Sequence, residues 1–130
     1  MLLIMLYSFA LFSQSLHHQL STELRQQGYK IESTISAKLC KQSSLELEYN
    51  FCSKNSYKIL AFSEHPDVSD IDLILKDNHG NTIKRDKHYY SNATILFNPF
   101  RDGEYRLKII NYDCLSDLLG YNCLLIVAVR

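Results

Sequence analysis

Six carboxylates, Glu64, Asp67, Asp70, Asp72, Asp77 and Asp86, form the densest set of chemically useful side chains in this 130-residue sequence. Calcium takes six to eight oxygens, and carboxylates on neighbouring loops can supply them. Asp67, Asp70 and Asp72 are the closest-spaced and are the candidate calcium ligands, although the spacing is not that of an EF-hand. The competing expectation gives Asp70 and Asp77 to turn capping through their own backbone and leaves Asp72 facing water.

The four cysteines are Cys40, Cys52, Cys114 and Cys123. An even count in a small exported domain suggests two disulfides. Cys114 and Cys123 flank a loop between two strand-like runs, so a bridge there would close the last hairpin, and Cys40 would pair with Cys52 by elimination. A tight hairpin around residues 41–44 would hold that second pair too far apart, so it requires those strands to diverge. Zinc is the competing use, but no C-x2-C or C-x4-C spacing is present.

Other catalytic patterns are missing. There is no HExxH, no G-x-S-x-G elbow and no glycine-rich phosphate loop. His17 and His18 border the N-terminal apolar run; His65, His79 and His88 lie in expected loops and read as surface histidines. No catalytic residue is assigned. Tyr89, Tyr90, Tyr112 and Tyr121 fall in loops or at strand ends, where aromatic rings can hold a glycan or a protein partner, or simply close the core.

The balance of 14 basic and 14 acidic residues gives no electrostatic basis for nucleic-acid binding. Residues 1–15 read as a signal peptide: Leu2–Phe12 is uncharged and apolar, and Ser13-Gln14-Ser15 offers a cleavage context. The run is short for a bilayer span, so no stable membrane span is expected after cleavage, and the chain is expected to be secreted or periplasmic.

The elements that must position these residues follow in order. Residues 16–28 can form one short helix, with Ser21 offering an N-cap and Gly28 a stop. From Tyr29 the period becomes two. Tyr29, Ile31, Ile35, Ala37 and Leu39 alternate with polar residues, as do Leu45, Leu47, Tyr49 and Phe51. Residues 57–62 and 123–129 are apolar on both faces and should lie mid-sheet. Ile71, Leu73 and Leu75, then Tyr105, Leu107 and Ile109, point inward from two further strands. About eight short strands separated by turns predict an all-β antiparallel sandwich over residues 29–130.

Val68-Ser69-Asp70-Ile71-Asp72-Leu73-Ile74-Leu75-Lys76-Asp77, followed by Gly80, Asp86, Ile95, Phe97, Pro99 and Gly103-Glu104-Tyr105-Arg106-Leu107-Lys108-Ile109, resembles the bacterial pre-peptidase C-terminal (PPC) type domain. The resemblance covers roughly Leu45 to Val129. It implies a jelly-roll-like β-sandwich on an exported protein, with no active site of its own. The chain is therefore expected to be a non-enzymatic binding or accessory module whose partner is an unknown protein or glycan. The alternatives are a calcium-stabilised adhesion or matrix-binding domain and, in another class, a small secreted hydrolase.

Overall fold

The computed structural model describes residues 16–88 and 90–130, so the signal-peptide reading of residues 1–15 and the candidate Tyr89 lie outside the described residues. Among the described residues, one helix, α1 (Leu16–Gln26), precedes eight strands: β1 (Lys30–Leu39), β2 (Ser44–Phe51), β3 (Tyr57–Ser63), β4 (Val68–Lys76), β5 (Thr82–Asp86), β6 (Asn92–Phe97), β7 (Gly103–Cys114) and β8 (Tyr121–Val129). They form two four-stranded sheets in the orders β1-β8-β3-β6 and β2-β7-β4-β5. Every pairing is antiparallel. Apart from the β4–β5 hairpin, every connection between successive strands crosses from one sheet to the other, as in a jelly roll.

The period-two pattern does what it predicts. Ile71, Leu73, Leu75, Leu107 and Ile109 from one sheet meet Ile59, Leu125 and Val127 from the other, all within 2% of complete burial. Phe51, Phe97 and Tyr105 pack edge to face at 5.2–5.7 Å between centroids, and Phe51 meets Tyr57 at 4.6 Å, which fills one end of the core.

β3 and β8 are apolar on both faces because α1 covers the outer face of their sheet. Leu24 and Tyr29 pack there against Leu60, Phe62, Ile126 and Ala128. Among the described residues the helix runs over Leu16–Gln26, so Ser21 is a buried mid-helix residue and not the expected N-cap. Gly28 does end it. At φ +86° it allows the Tyr29 N–H to reach the Leu24 carbonyl at 2.9 Å and its own N–H to reach the Arg25 carbonyl at 3.0 Å, a Schellman closure.

Polar bonds join the sheets at both open edges. Tyr49 of β2 donates to Glu32 of β1 and lies 3.0 Å from the Ser33 hydroxyl. Asp86 of β5 accepts the Thr94 N–H of β6 at 2.9 Å. The strand directions leave two ends. The loops 40–43, 64–67 and 115–120 and the loop residues 87–88 and 90–91 share what we call the proximal end, where the first described residues of α1 also lie: the His17 N–H reaches Glu64 at 2.7 Å. The loops 52–56, 77–81 and 98–102 share the distal end.

Candidate functional site

The distal end carries a cleft of about 440 Å³ between the β4–β5 and β6–β7 turns. One wall is Asp77-Asn78-His79-Gly80-Asn81. The Asp77 carboxylate accepts the N–H groups of His79 at 2.9 Å and Asn81 at 2.8 Å, and the Asn81 side-chain amide at 3.1 Å. Those bonds, the backbone N–H of Asn81 first, hold its carboxyl below the usual range. Gly80 provides the left-handed position, φ +88°, that closes the turn.

The other wall runs from Phe100 to Tyr105. Asp102 accepts the Ser53 N–H at 2.6 Å and the Ser53 hydroxyl at 2.8 Å, which ties this turn to the 52–56 loop. The Tyr105 hydroxyl donates to the Arg101 carbonyl at 2.8 Å. Between these anchors the Phe100 ring is 89% exposed at the rim. A second hollow of about 340 Å³ continues past Phe100, Ile83 and Tyr105 toward Lys84 and Asn98.

Asp77 and Asp102 are thus committed to their turns. The groups left to meet a ligand are the Phe100 ring, Asn78, His79, the Arg101 guanidinium and Glu104. A bond with Glu48, and then the like charge of that neighbour, raises the Glu104 carboxyl above its usual range. The lining contains no serine, threonine or cysteine nucleophile. What the cleft can do chemically is stack an apolar ring face and hydrogen-bond polar groups around it.

The expected calcium set is divided. Asp70 and Asp72 lie side by side on the outer face of β4, with only 5% and 6% exposure. Asp72 is therefore not solvent-facing, and Asp70 caps no turn. Asp67 lies in the β3–β4 loop, where its carboxylate accepts the Tyr121 hydroxyl at 3.3 Å. Among the described residues, no three His, Cys, Asp or Glu side chains are grouped to hold a metal ion. One oxygen of Asp70 and one of Asp72 has no hydrogen-bond partner. Burial first, and then the Asp72 charge, pushes the Asp70 carboxyl up to about 6.

No two of the four cysteines are bonded to each other in this structure. β1 and β2 do diverge into different sheets, yet Cys40 and Cys52 bracket the whole of β2. At about 3.3 Å per residue, a strand of that length keeps them well beyond the roughly 7 Å Cα separation that a disulfide spans. The fold therefore does not bring that expected pair together. Cys114 and Cys123 both enter the core near the proximal end, from opposite sheets. The Cys114 thiol donates to the Ser116 carbonyl at 3.3 Å. Burial, and then the neighbouring Cys114, pushes the Cys123 thiol up to about 11.

Of the candidate aromatics, Tyr90 and Tyr112 are exposed at the proximal end. Tyr121 is buried with its ring 4.6 Å from that of His65, and it closes the core. None of these three lines the distal cleft. Phe100 does, and the sequence carried a usable signal for it: a large apolar residue inside Asn-Pro-Phe-Arg-Asp-Gly, a turn with no strand face to bury it.

No family model and no curated protein matches the sequence. Solved structures do match the fold. The Yersinia pseudotuberculosis-derived mitogen superposes with a TM-score of 0.54 at 18% identity, over 78% of this chain and 87% of that one. The pre-peptidase C-terminal domain of collagenase from Bacillus anthracis superposes with a TM-score of 0.54 at 17% identity, over 75% and 89%. The fold is that of a PPC-type domain. The PPC-like pattern in β4, the Asp77 turn and the Pro99-to-Tyr105 segment thus marks core and turn positions of a shared sandwich, and identities this low carry the fold alone. No described helix is long and apolar enough to cross a membrane.

Proposed function

We propose that this chain is a non-enzymatic binding module of an exported protein and that its distal cleft takes a glycan. The single observation that carries the reading is Phe100, displayed at 89% exposure beside a cleft with polar walls. A solvated phenylalanine on a turn anchored from both sides does nothing for the core. Its flat apolar face suits the C–H face of a sugar ring, and Asn78, His79, Arg101 and Glu104 offer the donors and acceptors that ring hydroxyls need. The apolar run Leu2–Phe12 supports export.

A glycan array, followed by titration of the best binder into the protein, tests the reading. Phe100→Ala should weaken binding by about tenfold or more, in line with the roughly 1.5–3 kcal/mol of a large side chain removed from water. Glycan binding that survives Phe100→Ala unchanged, or no glycan bound at all, counts against it.

A further inference from the structure

We propose that the proximal end of the sandwich docks on a zwitterionic lipid surface through the β7–β8 loop. Leu115, Leu118 and Leu119 are 79%, 90% and 60% exposed on that one loop. Three solvated leucines within five residues are uncommon on a small soluble surface, where apolar side chains scatter singly.

The loop is built to display them. The Ser116 hydroxyl accepts the N–H groups of Leu118 at 3.1 Å and Leu119 at 3.2 Å, and the Leu115 N–H is fixed to the Asp67 carbonyl at 2.9 Å. The side chains thus project from a tied turn. Exposed Tyr90 and Tyr112 share the same end, and tyrosine suits the headgroup level of a bilayer, with an apolar ring and a wet hydroxyl.

The path of the chain decides between a bilayer and another occupant. The first described residues of α1 lie at the proximal end, with His17 bonded to Glu64. The described chain therefore begins on the side that carries the leucines, and the apolar run Leu2–Phe12 precedes it in sequence. A membrane that receives this run, transiently during export or for longer, meets that loop first. Charge points the same way. Lys41 is neutralised by Asp113 at 3.4 Å and Asp117 at 3.1 Å, the charge of Lys87 acts on Asp72, and Lys38, beside Gly120, adds a single exposed cation. The described residues of this end thus offer no basic patch for an anionic surface, and apolar immersion is what remains. The distal cleft then faces away from the lipid.

The chain contains no tryptophan, so a single introduced one reports its own surroundings. The full chain carrying Leu118→Trp, and separately Phe100→Trp, is mixed with phosphatidylcholine vesicles with and without bromine on the acyl chains. At position 118 the emission should shift to the blue and be quenched more by shallow bromines than by deep ones, as expected for immersion of roughly 5–10 Å. At position 100 it should do neither. The shift should survive added salt.

Three outcomes overturn the proposal. The protein does not bind the vesicles. It binds them while position 118 stays unshifted, so that the N-terminal run acts alone. Or the shift at 118 occurs without lipid and grows with protein concentration, which makes a second copy the occupant.

Discussion

Replacing Asp70 with asparagine should stabilise this protein above pH 6 and leave it nearly unchanged below pH 4. The Asp70 carboxyl is pushed from 3.8 to about 6, by burial first and then by Asp72, with smaller contributions from Asp113 and Asp86. Below pH 4 the group is protonated in both folded and unfolded chains and contributes no pH dependence. Between about 4 and 6 the unfolded chain releases its proton while the folded chain keeps it. Stability therefore falls as pH rises through that window and levels off once the folded group ionises as well.

The full displacement corresponds to about 3 kcal/mol, and partial access to water reduces the expected cost to about 1–3 kcal/mol. The introduced asparagine cannot ionise, yet its amide can still donate to Asp72, as the protonated acid does. For a domain of this size the gain at pH 8 is about 4–12 °C in Tm. Thermal melts of both proteins by circular dichroism from pH 3 to pH 9 measure it. Asp77 and Asp102 shift the other way and lose stability as pH falls, so the difference between the two proteins, not the wild-type curve, isolates position 70. A variant less stable at pH 8, or equally stabilised at pH 3.5 and pH 8, would refute the reasoning.

Further expectations follow from other bonds. Calcium should leave Tm unchanged, because Asp67 is engaged by Tyr121 and does not complete a set with Asp70 and Asp72; a rise that EDTA reverses would place a cation on the pair. Alkylation of the folded protein, mapped by mass spectrometry, should label exposed Cys40 first and reach Cys114 and Cys123 only on unfolding. A Cys114–Cys123 peptide that resists labelling even when unfolded would establish the expected bridge. Asn111→Ala should cost about 1–3 kcal/mol in a urea titration, since its buried amide donates to the Leu39 carbonyl at 3.0 Å and so joins the two sheets. Leu107→Ala should cost about 2–5 kcal/mol by the same assay, from a fully buried site at the centre of the sandwich.

The sandwich is legible in the sequence because its signal is a backbone rule. In strands with one buried face, a one-residue slip exposes the whole apolar set, so Leu73, Tyr105 and Leu107 announce their face by spacing alone. The outer faces are not legible in that way. Asp72 alternates with Leu73 as a solvated residue would, yet it is buried. Ser21 is not the expected cap, because a serine within a polar-apolar pattern resembles a cap whether or not the turn before it is helical. The Cys40–Cys52 expectation fails for a different reason: counting cysteines gives no direction, and only the run of β2 shows that the two stand at opposite ends.

The acidic stretch shows why side-chain type alone misleads. A carboxylate recruits whatever donors lie nearest, and in turns those are backbone N–H groups two to four residues away. Asp77 has three bonds within its own turn, two of them to backbone N–H groups. Burial pushes Asp86 up, but the N–H groups of Thr94 and His88 and the His88 ring outweigh it and hold its carboxyl low. Each of these residues closes a turn or joins two sheets, so its oxygens are engaged before any ion or substrate arrives. The groups that escape this fate are those without such local bonds: Asp70 and Asp72 in mid-strand, Phe100 on its turn, and the leucines beside Ser116. Function in such a domain is therefore to be sought where local bonding is incomplete, and the density of reactive residue types in the sequence is a poor guide to it.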